Sequence, residues 1–389
     1  MIPVVDATGK LYPSLLKSTT MLQKIFATVM LTYAVFVCPA QVNYIASIAD
    51  TVVAEAAQQE ETTLKKSLSI SGSADVYYRY DFHEQGNNYT SFTNTHNTFA
   101  LGMASLKFVY ESGKITAVAD LGFGSRASDF AYNDAGLLQA VKQLYISYNP
   151  TENLRLTAGS WATHVGYELI DPQLNRQYSM SYLFTNGPFS HTGLKVEYSK
   201  GKQGIMLGIS NATDYRLPPS ELQNKKSIIA QYSVAASDNV KFYINYVGCK
   251  NPDTAIVKQY DIVTTAAISS RFDIGLNASL NSSQQWDNVT KKNMNAQHWW
   301  GVAGYLNAHP AKWLSICLRS ELFNDEQAVK GFNTSIFSNT LSANFKVDGL
   351  IFIPEIRVET AGRKLYTDSD GLYNKKTAAS FILAAVYSF

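Results

Sequence analysis

From residue 67 onward, apolar and polar side chains alternate with a period of two, and turn-forming residues interrupt this alternation at regular intervals. In the segment 240–246, VKFYINY, every second residue is apolar and the residues between are polar or aromatic. Successive side chains of a strand point to opposite faces, so the pattern predicts strands with one apolar and one polar face. We predict about sixteen strands, at 67–82, 96–111, 114–124, 138–149, 153–164, 191–200, 203–212, 226–235, 238–247, 257–268, 271–283, 297–308, 311–322, 336–347, 350–361 and 378–389.

The connections between these strands alternate in length. Tight turns with Gly, Pro, Asn or Asp are predicted at Glu111-Ser112-Gly113, Asn149-Pro150-Thr151, Lys200-Gly201-Lys202, Ser237-Asp238, His309-Pro310 and Val347-Asp348-Gly349. Long polar loops fall at 83–95, 125–137, 165–190, 213–225, 248–256, 284–296, 323–335 and 362–377. Short turns on one side and long external loops on the other, with an even number of strands, are typical of bacterial outer-membrane barrels.

Alternation alone does not say which face is inside, so strand length and charge must decide. Eleven residues tilted by about 45° span roughly 26 Å, close to the roughly 25 Å apolar band of a membrane barrel. A Lys or Arg on the lipid face costs about 2–4 kcal/mol at the bilayer midplane. The charged face is therefore expected to line the lumen. The fold class that follows is all-β: a transmembrane antiparallel up-and-down barrel over 67–389, with short periplasmic turns.

The N-terminal region has the layout of an export signal. Met21 opens a basic start, a run of about thirteen apolar residues follows at 25–37, and small residues come next. We expect 1–40 to be an N-terminal extension and signal peptide, with translation starting at Met21 and cleavage after Ala40. A lipoprotein signal at Cys38 is disfavoured by the bulky Val37 before it. The polar, Ala- and Glu-rich segment 41–66 is expected to be a periplasmic lead.

Composition excludes several classes of protein. Of 389 residues, 46% are hydrophobic and 16% charged, with 24 Tyr and 19 Phe, which is too apolar and aromatic for a disordered chain. The formal net charge of +2 provides no basic field for nucleic acid, so no nucleic-acid partner is expected. The segment 122–128, GFGSRAS, leads into a polar loop without a helix or a Lys-Ser/Thr pair, so it is not read as a phosphate cradle.

Several segments resemble the OmpL-like β-barrel porin family of Gram-negative bacteria. They are SADVYYRYDF at 73–82, ALGMASLKFVYESGK at 100–114, AVADLGFGSRASDFAYND at 117–134, NATDYR at 211–216 and, above all, the long segment 157–199 that begins TAGSWATHVGYELIDPQ. The resemblance implies a passive diffusion channel in the outer membrane for small hydrophilic solutes. It names no solute.

The predicted lumen face carries charges of both signs. The predicted pore-lining residues are Asp75, Arg79, Asp81, Lys107, Asp120, Arg155, Lys195, Glu197, Lys241, Asp261, Arg319, Glu321, Glu355, Arg357 and Glu359. Because the two signs nearly cancel, weak ion selectivity is expected. Glu321, Glu355 and Glu359 could also be drawn as paired carboxylates for acid–base chemistry, but a polar pore wall is the simpler interpretation.

The loop after the fifth predicted strand is unusually apolar. Residues 166–190 contain Tyr, Leu, Phe and Met beside Glu168, Asp171 and Arg176. Such a loop must bury its apolar groups. We expect it to fold into the lumen as a constriction, with these three charges facing the wall across a narrow aqueous gap. The alternative is a cap lying on other external loops.

The last nine residues, FILAAVYSF, alternate without a charge and end on Phe389. This ending resembles the C-terminal signal read by the barrel-assembly machinery, so Phe389 is assigned as an assembly signal, although a second role as an interfacial aromatic is compatible. The expected partners are outer-membrane lipid, the assembly machinery and small hydrophilic solutes, and a homo-oligomer is left open.

Two other classes of function remain open. His164, His191 and the many serines could form a hydrolase triad, but a triad is defined by geometry that a sequence does not show. A binding or adhesion barrel would act through its external loops. The six histidines have no zinc-binding spacing with another His or Cys. Neither a metal nor another cofactor is therefore expected, and an enzyme is not the favoured interpretation.

Overall fold

The computed structural model describes residues 66–250 and 256–389, with Lys250 described in its backbone only. The expected signal peptide with its start at Met21, and the lead as far as residue 65, lie outside the described residues. Part of the predicted loop 248–256 also lies outside them.

Sixteen strands form one closed antiparallel barrel in which each strand pairs with its neighbours in chain order. The ladder from β1 to β20 closes the ring. The predicted fold class is thereby confirmed. The barrel strands are β1 (Lys66–Asp81), β2 (Thr98–Ser112), β3 (Ile115–Phe123), β4 (Val141–Thr151), β5 (Leu154–Ala162), β6 (Ser190–Lys200), β7 (Gln203–Asn211), β8 (Lys226–Ala235), β9 (Val240–Lys250), β10 (Ile256–Ser269), β11 (Phe272–Gln284), β14 (Gln297–Ala311), β15 (Leu314–Asn324), β16 (Ser335–Val347), β17 (Leu350–Ala361) and β20 (Thr377–Ser388).

Four short strands form two hairpins within the long loops. β12 (Trp286–Asp287) pairs with β13 (Lys292–Asn293), and β18 (Tyr366–Thr367) pairs with β19 (Tyr373–Lys375). The loops also contain helices α1 (Ser125–Phe130) and α2 (Tyr182–Asn186) and the 3₁₀ turns Gly136–Ala140, Pro172–Leu174 and Ser220–Leu222. Across 66–250 and 256–389, no helix has the length and apolar content to cross a membrane.

The period-two pattern separates the two faces of the barrel wall. On β7, the side chains of Ile205, Leu207 and Ile209 are 50%, 58% and 45% exposed, whereas Met206 and Ser210, at positions of the opposite parity, are 4% and 1% exposed. A closed barrel has one outer and one inner face, so the exposed apolar residues lie outside. Large apolar side chains on the outside and polar ones within are the arrangement of a barrel surrounded by lipid.

Two predicted turns are wrong by two or three residues because proline is accommodated inside a strand. β4 continues through Pro150 to Thr151, and β14 continues through Pro310 to Ala311. Both ladders have a register irregularity there, between Tyr148 and Thr151 and between Ala308 and Ala311. A bulge leaves a residue unpaired, so the missing N–H of proline costs no ladder hydrogen bond. As a result His309, predicted in a turn, is a strand residue.

Aromatic side chains fill the inside of the barrel near the long loops. One buried cluster joins Tyr182 and Leu183 to Trp299, Phe323 and Tyr366. A second cluster packs the loop residues Phe92, Phe130, Met180, Phe184 and Phe189 around Met103 of β2. Residues from several long loops and from the inner wall therefore form a common apolar core, which positions the loop described next.

Candidate functional site

The segment 163–189 connects β5 to β6 and runs inside the barrel. Glu168 accepts a hydrogen bond from Nη1 of Arg319 at 2.5 Å, and Arg319 lies on the inner face of β15. Gly166 donates its N–H to Asp261 of β10 at 3.0 Å. Both wall residues are buried on the side of their strands opposite the exposed apolar side chains. We call the segment 163–189 the lumen loop.

The lumen loop crosses the barrel from one wall to the other. Asp171 forms an ion pair with Lys142 of β4, and Arg176 forms one with Asp273 of β11 at 3.5 Å. In the ring of sixteen strands, β4 and β11 are seven strands apart, which places them on nearly opposite walls. Five residues reach at most about 17 Å, so the crossing is made by extended chain together with long side chains.

Two wall carboxylates hold the loop by its backbone. Glu355 accepts the N–H of Tyr178 at 2.8 Å and that of Ser179 at 3.3 Å. Glu321 accepts the N–H groups of Tyr182 and Leu183, both at 2.8 Å. These last two donors belong to the first turn of α2, which has no internal partners for them. Hydrogen bonds to an ionised acceptor are about twice as strong as neutral ones, so the carboxylates fix the loop firmly.

Arginines hold the loop by its carbonyl groups. Arg319 donates to the carbonyl of Ser179 at 2.8 Å, and Arg357 donates to that of Met180 at 2.7 Å. Arg126, from α1, donates to the carbonyl of Tyr178 at 3.2 Å and lies 4.5 Å from the centre of its ring. Charged side chains therefore bind both the N–H groups and the carbonyl groups of the loop backbone.

The predicted pore-lining residues occupy the inner face, but most of them are sealed beneath the lumen loop or by one another. The side chains of the pairs Arg79–Asp81, Arg319–Glu168 and Arg357–Glu359 are at most 5% exposed. The other buried members of the predicted set are Asp75, Asp120, Asp261, Glu321 and Glu355. Only Lys107, Arg155, Lys195, Glu197 and Lys241 remain partly or fully exposed.

The prediction of an aqueous gap between the loop charges and the wall is wrong. Glu168, Asp171 and Arg176 contact Arg319, Lys142 and Asp273 directly. A charge leaving water regains stability only when an opposite charge is close, which favours contact over separation. Of the three, Arg176 keeps the largest exposed side-chain fraction, 23%.

Sequence reasoning missed Lys142 because of a β-bulge. The ladder between β3 and β4 pairs Asp120 with Gln143 but Leu121 with Val141, so Lys142 is the extra residue. The bulge brings Lys142 inside, 2% exposed and 3.0 Å from Asp120. Strict alternation would have placed its side chain outside with Leu144, which is 56% exposed. Arg126 was missed because it lies in a predicted loop without a periodic pattern.

The two histidines considered for a hydrolase lie together but lack the partners of a triad. The ring centres of His164 and His191 are 5.2 Å apart. His191 Nε2 contacts Thr163 Oγ1 at 3.1 Å, and His164 Nε2 contacts the carbonyl of Tyr246 at 3.2 Å. Within the described part of the chain, neither ring forms a hydrogen bond with a serine hydroxyl or a carboxylate, and no group of three or more His, Cys, Asp or Glu side chains could hold a metal ion.

A closed barrel with an apolar outer face, a polar inner face and a loop folded into its lumen defines the class of outer-membrane porins. The family model "Putative beta-barrel porin-2, OmpL-like" matches residues 67–389. The chain belongs to this family, and the protein is an outer-membrane porin channel. No curated protein matches the sequence.

Solved porin structures share the fold at low sequence identity. The trimer form of OmpT, an outer membrane protein of Vibrio cholerae, has a TM-score of 0.54 and 8% identity, and the match covers 83% of this chain and 99% of that one. The anion-selective porin from Comamonas acidovorans gives 0.55 and 7%, covering 84% and 100%. The channel DcaP of Acinetobacter baumannii gives 0.54 and 11%, covering 83% and 97%.

Proposed function

We propose that this porin is a passive channel for small hydrophilic solutes and that the lumen loop sets its size limit. The observation that supports the proposal is the crossing of the barrel between Lys142 and Asp273, because a loop that spans the lumen would lie in the path of a solute. Leu169 and Leu174 of the same loop are 42% and 56% exposed. Apolar side chains exposed inside a barrel border open space, so the loop narrows a lumen that it does not fill.

A deletion tests the size limit. Removing Pro172 to Ser181 takes out the crossing segment and leaves every barrel ladder in place. The wall charges that the loop covers would then face water inside a wide lumen, where they need no protein partner. We expect single-channel conductance in planar bilayers to rise several-fold, with larger sugars entering liposomes in a swelling assay.

The matched control removes ten residues from an external loop. Residues 287–296 are mostly exposed and lie between β11 and β14. This deletion should leave conductance unchanged. Both variants must show heat-dependent gel mobility, which reports a closed barrel. An assembled Pro172–Ser181 deletion with wild-type conductance would reject the constriction and favour an external cap.

A substitution at Leu174 gives a milder test that keeps the loop anchored. The Leu174 side chain is exposed, so it can be changed without breaking a buried contact. Leu174→Trp should lower conductance and Leu174→Ala should raise it slightly. Equal conductance in both variants would show that solutes do not pass beside this residue.

We also propose that the channel has no enzymatic activity. The hydrogen-bond partners of the two rings support this part, because in the described residues His191 pairs with the Thr163 hydroxyl and His164 with the Tyr246 carbonyl. Assays of lipase and protease activity on the purified protein, with His164→Gln and His191→Gln as comparisons, test it. Activity that disappears in either variant would favour the hydrolase.

A homo-oligomer is also part of the proposal, and the trimer form recorded for OmpT supports it by analogy of fold. Native electrophoresis or mass determination in detergent before and after heating would test it. A single mass equal to one chain under mild conditions would remove this part of the proposal without affecting the channel.

A further inference from the structure

The charges of the inner wall are not equally available to a solute. The ion pairs Arg79–Asp81, Arg319–Glu168 and Arg357–Glu359 are closed off from water. The Asp261 carboxylate accepts hydrogen bonds from Gly166, Asn245, Asn277 and Ser279, and it is 1% exposed. A sealed, paired charge contributes little field in the channel, so a count over the whole wall misjudges selectivity.

The accessible charges lie toward the periplasmic end of the lumen, near the short turns. Lys107 pairs in register with Asp120, and with Lys142 and Asp171 these four form a balanced group. Beyond that group, the partly or fully exposed cations on the inner face and the lumen loop are Arg155, Arg176, Lys195, Lys241 and Lys346, and the carboxylates are Glu111, Glu197 and Asp273. Cations therefore outnumber carboxylates where solvent reaches.

Arg176, Asp273 and His309 meet at one place, and Lys346 lies near them. Asp273 Oδ2 lies 3.5 Å from Arg176 of the lumen loop and 2.6 Å from Nε2 of His309 on β14. The Arg176 carbonyl accepts hydrogen bonds from Ser342 Oγ at 3.0 Å and Asn344 Nδ2 at 2.9 Å. Lys346 is the next residue on the same face of β16, about 7 Å further along the strand. The side chains of Arg176, Asp273 and His309 are 23%, 21% and 24% exposed.

We propose that Arg176, His309 and Lys346 form a binding site for the anionic group of a permeating solute. This inference rests on the proposed channel function. Arg and Lys supply two permanent positive charges against the single carboxylate of Asp273. The buried side chains of Asn344 and Ser315 position the site: Asn344 Nδ2 donates to the Arg176 carbonyl, and Ser315 Oγ lies 2.9 Å from Nδ1 of His309. The site would take a carboxylate, sulfate or phosphate group.

The groups that face His309 hold its ring in the site. From β11 it faces Asp273, from β15 Ser315, and from the lumen loop Arg176; Asn307 on its own strand donates to Asp273 at 2.6 Å. These contacts orient the imidazole beside Arg176 and Asp273.

Reversal potentials in a potassium chloride gradient test the site. For the full-length protein in planar bilayers, we expect chloride to be preferred over potassium at pH 7.5. We expect Lys346→Gln to lower the chloride-to-potassium permeability ratio roughly two- to threefold, the change produced by one unit charge at several ångströms in water. Sulfate, which is doubly charged, should compete with chloride and reduce the chloride current.

Three variants and a control locate the effect. His309→Gln keeps a polar side chain between Asp273 and Ser315 and should weaken the inhibition by sulfate. Lys346→Gln and Arg176→Gln should each lower both the chloride preference and the inhibition by sulfate. Lys312→Gln is the control, because Lys312 carries the same charge in the exposed turn after β14, outside the lumen.

The outcomes separate this inference from the channel function. A conducting wild-type channel whose chloride preference and inhibition by sulfate are unchanged in His309→Gln, Lys346→Gln and Arg176→Gln would overturn the anion site and leave the channel standing. A folded protein without conductance would overturn the proposed function itself. Because Arg176 lies on the loop and Lys346 on the wall, a folding defect in one variant leaves the other as a valid test.

Discussion

Phe389 closes the barrel on Gly72. The Gly72 N–H donates to the Phe389 carbonyl at 3.1 Å, and the Phe389 N–H donates to the Gly72 carbonyl at 3.0 Å. The Phe389 ring lies over the glycine on the outer face: a Cβ added to Gly72 would be 2.6 Å from Cζ of Phe389 and 2.8 Å from the backbone oxygen of Ser105. The C-terminal end of β20 therefore packs against β1 at a position where β1 has no side chain.

Gly72→Ala should weaken this closure. The added methyl group must displace either the Phe389 ring or the β2 backbone, and overpacking of this kind costs about 1–3 kcal/mol. We expect a lower temperature for the conversion between folded and unfolded mobility on gels. The control is Gly304→Ala on β14, where a Cβ meets nothing within 4 Å. Equal transition temperatures in the two variants would contradict the packing argument.

Phe389→Ala separates the role of the ring from that of the backbone. The substitution keeps both hydrogen bonds to Gly72, whereas deletion of Phe389 removes them. If the ring is read during assembly, Phe389→Ala should lower the yield of heat-modifiable barrel in the membrane much more than Phe381→Ala, a change on the same face of β20. Similar yields from the two alanine variants would show that Phe389 is an ordinary interfacial aromatic.

Lys142→Met should destabilise the barrel by about 3–5 kcal/mol, because it removes the cation that contacts both the buried Asp120 and the partly buried Asp171. The thermal transition of the folded barrel measures this. Lys202→Met is the matched change at an exposed pair, in which the side chains of Lys202 and Asp238 are 59% and 92% exposed. Surface pairs contribute about 0–1 kcal/mol, so the control should scarcely change the transition. A similar small shift for both would show that the inner pair is hydrated.

Glu355→Gln should loosen the lumen loop without removing it. An amide oxygen accepts the N–H groups of Tyr178 and Ser179 more weakly than a carboxylate, and hydrogen bonds to charged groups contribute about 1.5–3 kcal/mol. We expect more current noise and brief transitions to higher conductance. Glu326→Gln, in an exposed external loop, should leave the recordings quiet. A noise spectrum identical to wild type in Glu355→Gln would show that the arginine contacts suffice.

Acidification should destabilise the fold through His164 at the start of the lumen loop. Burial lowers the pKa of His164 from its ordinary 6.5 to about 4. The folded state therefore favours the neutral ring, and the associated stability is complete above about pH 6.5 and declines as the pH falls towards 4. The loss by pH 5 is on the order of 2 kcal/mol. Thermal transitions at pH 7 and pH 5 should differ less in His164→Gln than in wild type; an equal difference would exclude His164 as the cause.

The barrel follows from patterns that are visible in the amino-acid sequence. All sixteen predicted strands correspond to strands of the structure with small shifts at their ends, and both 226–235 and 350–361 are predicted with the observed bounds. Period-two alternation is a local property of the chain. It recurs along every strand because each strand has one face toward lipid and the other toward the aqueous lumen. Tight turns carry their own residue signals. The family resemblance over the first half of the barrel pointed to the porin class in the same way.

Which charged residues face the lumen, and how exposed they are, depends on tertiary structure. Lys142 faces inward only because a bulge shifts the ladder with β3, and His309 reaches the lumen only because a second bulge accommodates Pro310 within β14. A count of charges in the sequence gives Arg319 and Arg176 equal weight. In the structure, Arg319 is buried beneath the lumen loop, whereas the Arg176 side chain is partly exposed to solvent. Bulges, long-range ion pairs and the burial of a charge depend on which distant segments meet. A local pattern of hydrophobicity does not predict these tertiary contacts. The contacts determine which charges hold the loop and which charges a solute can reach.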